Sequence, residues 1–143
     1  MGTPDSVETY IIDTWPVMEW LQQLEPGAAH FERLIERVLQ GELRLIMSRI
    51  NFGEVLYSCW KLDPSQAAQF FADAETLPID IISVDDDLVI EAARLKAGTT
   101  ASYADCFAAA LALRHNAPVV TGDKDFPDLA RVQPKLQLYW VGK

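Results

Sequence analysis

SYADCFAAALALRH (residues 102–115), followed directly by NAPVVTGDKDF (residues 116–126), decides the architecture. The first piece is rich in alanine and leucine, and Ser102 is placed to cap it as a helix with Asp105 at the spacing of a capping box. The second piece opens a strand after Ala117-Pro118, runs from Val119 to Thr121 and stops at Gly122-Asp123. A helix feeding a short apolar strand is half of a parallel βαβ unit, whose strands are buried on both faces.

The same alternation extends in both directions. Thr9 to Asp13 reads as a short buried strand, and Pro16 suits the first turn of a helix to about Leu24, broken by Pro26-Gly27. From Ala28 to Gln40, Phe31, Leu34, Ile35, Val38 and Leu39 recur at helical spacing, and Gly41 stands as a stop. Leu43 to Met47 is a second strand, and Ser48 caps a helix carrying Phe52, Val55, Leu56, Cys59 and Trp60. Asp63-Pro64 signals another helix, to about Leu77; Asp80 to Val84 is a third strand, and Asp86 to Ala97 a helix. Beyond Asp123, a short helical turn around Pro127 to Ala130 leads to a last strand, Leu136 to Trp140. The expectation is an α/β domain with a mainly parallel central sheet of about five strands and helices on both faces.

Composition bounds the function. With 143 residues, half of them hydrophobic, the chain makes one domain with a full core, residues 1–8 being expected as a flexible N-terminal extension. No apolar run approaches the roughly 18 residues of a membrane span, and the start MGTPDSVE is acidic and polar, so a cytoplasmic protein without a signal peptide is expected. Cys59 and Cys106 lack metal or redox spacing and read as buried thiols. A net charge of −9 argues against holding long nucleic acid through a general field, though not against a nuclease, and suits a basic protein partner.

Four acids stand where a strand ends or a helix begins: Asp13 in TYIIDT, Glu54 in INFGEVLY, Asp105 in SYADCFAAA and Asp123 in VVTGDKDF. In open parallel sheets, ligands bind beyond the carboxyl ends of the strands, which gives these acids a common destination. Carboxylates beside Ile11, Ile12, Val119 and Val120 are costly to leave unpaired, and a hard divalent cation is the usual partner of an oxygen-only cluster. Each acid also has a plainer reading. Asp105 serves a capping box, Asp123 a turn, Asp125 and Glu54 a solvated surface; Asp13, after two isoleucines, has few structural excuses.

IIDT near the start, NFGEVLY, AARLKA ahead of SYADCFAAALA, and VVTGDKDF before the last strand occur in the order and spacing of the PIN-domain ribonucleases. The chain resembles that family over nearly its whole length, and most closely the VapC-type toxins of bacterial toxin-antitoxin pairs. The resemblance implies metal ligands or ligand-orienting acids at Asp13, Glu54, Asp105 and Asp123, with Thr121 beside them and Asp125 as a less constant acidic position. It also implies one or two Mg2+ or Mn2+ ions, a structured RNA substrate such as tRNA or rRNA, a small antitoxin and a homodimer. Ions held this way lower the pKa of a bound water and steady phosphate charge, so no nucleophilic side chain is needed. Glu54 is expected to bind metal or position the attacking water, and Thr121 to orient a carboxylate or water.

Arg49, Lys96 and Lys124 flank these motifs as candidate phosphate contacts, Lys96 foremost because the resemblance reaches it. Where many relatives follow the first Asp-Thr with a small polar residue, this chain has Trp15-Pro16; Trp15 either packs or stacks on a base, and packing is the expectation. His30 and His115 have no partner spacing, and neither a Walker loop nor GxGxxG is present. The run Asp85-Asp86-Asp87 reads as the acidic start of a helix. Two alternatives remain: a catalytically weak PIN-fold binding module and a metal-dependent phosphatase, the latter without the DxDxT pattern after the first strand.

Overall fold

A computed structural model of the chain describes residues 7–143. Its elements run β1 (Glu8–Ile12), α1 (Thr14–Gln22), α2 (Gly27–Leu39), β2 (Leu43–Ser48), α3 (Arg49–Leu62), α4 (Ala67–Glu75), β3 (Asp80–Ile82), α5 (Asp86–Ala97), α6 (Tyr103–His115), β4 (Val119–Thr121), α7 (Asp125–Val132) and β5 (Leu138–Trp140). The strands form one sheet in the order β3-β2-β1-β4-β5, and every pairing is parallel. The chain adds β2 and β3 on one side of β1, then crosses to add β4 and β5 on the other. The junction of β1 and β4 is therefore the switch point, where successive connections diverge and leave a crevice at the carboxyl ends.

Side-chain alternation along the strands divides the core in two. Ile11, Ile46 and Val119 pack with Leu88 of α5, Leu111 of α6 and Phe126 of α7. Ile12, Leu45, Met47 and Val120 turn the other way, against Val17 of α1, Phe31 of α2, Val55 of α3 and Ala74 of α4. Both cysteines are buried as free thiols, and among the described residues no helix is long and apolar enough to cross a membrane.

Element ends depart from the sequence reading where a local hydrogen bond or a missing partner intervenes. α4 starts at Ala67 rather than at Asp63-Pro64 because Asp63 Oδ1 accepts from Ser65 N–H at 3.0 Å and Ser65 Oγ at 2.7 Å, holding a turn instead. β3 stops at Ile82, since its last partner, Ser48, ends β2. β5 starts at Leu138 because Leu136 N–H closes a turn onto Gln133 O. Around Pro127 the expected single turn is a helix of 8 residues that buries Phe126 and Leu129. Residues 1–6 of the expected extension lie outside the described residues, but Glu8 belongs to β1, pairs with Leu43 and holds Arg37 at 3.0 Å. Asp85 caps α5, accepting from Leu88 N–H, and takes a two-pronged contact from Arg114.

Candidate metal centre

The switch point gathers three of the acids. Asp13 follows β1 by one residue; its N–H still donates to Val120 O at 3.1 Å, which ties it to the sheet, while its side chain caps α1. Its Oδ2 accepts from Thr121 Oγ1 at 2.8 Å and Trp15 N–H at 3.5 Å. Thr121, the last residue of β4, also accepts from Asp123 N–H at 3.0 Å and so links the two acids. Asp105 arrives on the first turn of α6, where its capping box is complete: Asp105 N–H donates to Ser102 Oγ, and Ser102 N–H to Asp105 Oδ2. One oxygen from each of Asp13, Asp105 and Asp123 lies within 4.8 Å of the others.

Burial makes this cluster electrostatically costly. Asp13 is pushed up to about 7 by burial, against hydrogen bonds from Thr121 and the first-turn backbone, and the charges of Glu54 and Asp123 add to the effect. Asp105 is pushed up to about 8, again by burial first and then by the charges of Asp13 and Asp123, with the Asp125 carboxyl adding to them. Asp13 Oδ1 is buried and accepts no hydrogen bond. A buried carboxylate that has an oxygen without a donor and that converges with two further carboxylates fits a hard divalent cation; Asp13, Asp105 and Asp123 are the residues able to hold one.

The remaining candidates sit around this triad. Glu54 on α3 is outside the converging set, though its charge acts on Asp13, and its Oε2 accepts from Tyr57 Oη at 3.2 Å. Asp125 starts α7, donating its N–H to Asp123 Oδ1 at 2.9 Å. Lys96 lies on α5 with Nζ 3.5 Å from Thr99 O; its charge favours the Cys106 thiolate, but burial wins and holds that thiol up at about 11. Arg49 lines a separate, mainly apolar cavity with Val17, Phe52 and Leu77. Lys124 and Trp15 line a cleft that also includes Asp123. Trp15 packs: a Cβ on Gly122 would lie 2.5 Å from its ring, and one on Gly27 2.9 Å. Gly122→Ala is expected to cost roughly 1–3 kcal/mol by forcing this rigid ring aside, read as a lower urea midpoint; an unchanged midpoint would show that the ring moves freely.

Sequence reasoning missed the residue that ties the helices together. Asn51 is fully buried; its Oδ1 accepts from Ser48 Oγ at 2.6 Å, its Nδ2 donates to Ala104 O at 2.9 Å, and its backbone O accepts from Thr14 Oγ1 at 3.1 Å. These bonds join the first turns of α1, α3 and α6 behind Asp13 and Asp105. The available signal was the spacing Ser48-x-x-Asn51, which places an amide opposite the helix cap. Asn51→Ala is expected to destabilise the fold by about 1–3 kcal/mol, because it strands buried Ser48 and Ala104 groups. Chemical denaturation checks this, and a loss below the low end would mean water replaces the amide.

The PIN domain family model matches residues 10–132. The chain belongs to the PIN domain family. Among solved structures, this PIN domain is similar to Rickettsia felis VapBC2 bound to a promoter DNA fragment, with 19% identity, 92% of this chain and 97% of that chain covered, and a TM-score of 0.68. It is similar to DNA-bound VapBC from Salmonella typhimurium at 18% identity, with 93% and 98% covered and a TM-score of 0.68. It is also similar to Mycobacterium tuberculosis VapC20, described as a sarcin-ricin loop cleaving toxin, at 14% identity, with 83% and 93% covered and a TM-score of 0.67. At these identities the likeness speaks to the PIN fold. A comparison with curated proteins finds no match.

Proposed function

We propose that this PIN domain is an endoribonuclease dependent on Mg2+ or Mn2+, acting as the toxin of a toxin-antitoxin pair. The observation that carries the reading is a buried Asp13 carboxylate, one oxygen of which accepts no hydrogen bond, converging with Asp105 and Asp123 at a parallel-sheet switch point. Asp13, Asp105 and Asp123 would hold the cation, which when bound would supply an acidified water and charge stabilisation at a phosphodiester oxygen. The chain's own part is to hold that geometry. Thr121 keeps Asp13 oriented by donating to Oδ2, the capping box fixes one oxygen of Asp105, and Glu54, whose charge acts on Asp13, is assigned to orient the attacking water. Asp125 supports Asp123 through its N–H, while Lys124, which lines the cleft with Asp123, and Lys96 are assigned to flanking phosphates; Arg49, in its separate cavity, is the weakest of the three candidates.

The substrate under this reading is a structured RNA such as tRNA or rRNA, in line with the description of VapC20 as a sarcin-ricin loop cleaving toxin. A small antitoxin partner and a homodimer are proposed with it; the VapBC relatives and the chain's net charge of −9, which suits a basic partner, support the antitoxin. The test incubates the partner-free protein with total bacterial RNA and Mg2+ or Mn2+, beside Asp123→Asn and an EDTA control. Discrete fragments requiring both the cation and Asp123 are expected. A folded protein that binds the cation yet cleaves no RNA would favour a PIN-fold binding module instead.

A further inference from the structure

Beside the acid cluster lies a cavity of about 480 Å3, within the usual size range of small-ligand pockets, whose lining includes Trp15, Glu19, Lys124, Trp140, Lys143 and Asp123 of the triad. We propose that this cavity is a nucleobase subsite, taking one unstacked base of single-stranded RNA next to the bond addressed by the acids, with guanine preferred. The inference rests on the nuclease reading and names the base-recognition element of that site.

Its two indoles are held in fixed orientations. Trp15 lies against Gly122 and Gly27, where side chains would collide with its ring. Trp140 donates Nε1–H to Lys143 O at 3.1 Å and runs close to Gly142, where a Cβ would sit 3.2 Å from its ring, yet it remains 39% exposed. A fixed, accessible aromatic face such as that of Trp140 stacks on a base at little entropic cost, the packed Trp15 ring walls the cavity, and neighbouring lysines meet the phosphates on either side. Lys124 and Lys143 supply those charges. Because Asp123 belongs to both the cavity and the triad, an inserted base stands beside the reacting phosphate.

Glu19 chooses the base. Its stem lies against the same face as Trp15, since a Cβ on Gly27 would meet Glu19 Cβ and the Trp15 ring alike at 2.9 Å. Glu25 also lines the cavity, but its Oε2 is taken by Ala29 N–H at 3.2 Å. A carboxylate offers two acceptors side by side, and only guanine presents two adjacent donors, N1–H and the exocyclic amine, on one edge. Adenine and cytosine set a ring acceptor beside their amine, and uracil flanks its one N–H with carbonyls. Each of those would turn an acceptor toward a Glu19 oxygen. A neutral base also enters an acid-lined cavity more readily than a phosphate does.

The experiment measures binding of labelled uridine tracts carrying one central G, A, C or U to the full chain, by fluorescence anisotropy with Ca2+ present, and cleavage of the same set with Mg2+ or Mn2+. Wild type is expected to bind the G-containing tract roughly tenfold tighter than the all-U tract, with Trp140→Ala weakening all four and Glu19→Gln removing the preference for G. Trp140 is 39% exposed at the end of β5, and matching melting curves check that its loss leaves the fold intact. Equal binding of all four tracts by wild type, or variants that bind as wild type does, would overturn the subsite. Base-selective binding that needs Trp140 and Glu19, without cleavage, supports the subsite and overturns the nuclease reading.

Discussion

Asp13→Asn is expected to abolish measurable cation binding and to lower RNA cleavage on the order of a thousandfold, since a catalytic cation contributes several kcal/mol and each 1.4 kcal/mol is tenfold in rate. The same variant is expected to be more stable than wild type without metal at pH 8. Asparagine keeps the acceptor for Thr121 Oγ1 but removes a buried charge that lacks a donor at Oδ1. Opposite signs for activity and metal-free stability separate a ligand from a structural residue, because loss of a structural carboxylate lowers both. Calorimetric melting with and without Mn2+, beside a cleavage assay, reads the two effects. A metal-free variant that melts below wild type would sink the assignment of Asp13 as a ligand kept at the expense of the fold.

The second large effect is a pH dependence of unusual sign. In the folded protein Asp13 sits at about 7 and Asp105 at about 8, both raised by burial, against about 3.9 for an aspartate in an unfolded chain. Between those values the native state binds protons that the unfolded state has released. Metal-free stability is therefore full below about pH 4, falls as pH rises, and has lost this contribution by about pH 8. Most paired aspartates do the reverse, stabilising proteins as pH rises. A cation takes the place of the protons, so the stabilisation by Mn2+ grows across the same window and its binding releases protons. Because the acids titrate as a group, the transition belongs to the cluster rather than to one side chain. Urea denaturation at a series of pH values in EDTA tests it, and metal-free stability that rises between pH 5 and 8 would contradict a converging, protonated cluster.

Much of this was legible in the chain. Asp105 takes its plain reading and stays compatible with its functional one: the capping box with Ser102 is complete, and the same carboxylate converges with Asp13 and Asp123. A capping box engages one oxygen, so the second stays free to face a site, and the two readings never competed. Asp85 and Ser48 cap their helices as their spacing indicated, because N-cap chemistry is local. Glu54 shows the limit of motif reading. The same family pattern that named it with the other acids could not tell an oxygen in the converging set from one held by Tyr57 at its edge.

Hydrophobic alternation, caps and turn residues determined from the sequence alone that strands and helices alternate, that the sheet is parallel and covered on both faces, and that Asp13, Asp105 and Asp123 fall just past strands or at a helix start; Glu54, expected at a helix start, lies inside α3 instead. These are local or periodic properties, set within a few residues of one another. The order β3-β2-β1-β4-β5, which brings Asp13 and Thr121 together across 108 positions, was decided only by tertiary packing. So were the Asn51 tie between three helix starts and the convergence of Trp15 with Trp140. Each of these joins residues distant in the chain, and the free energy that selects such contacts comes from burying whole faces together, which no short stretch of sequence contains.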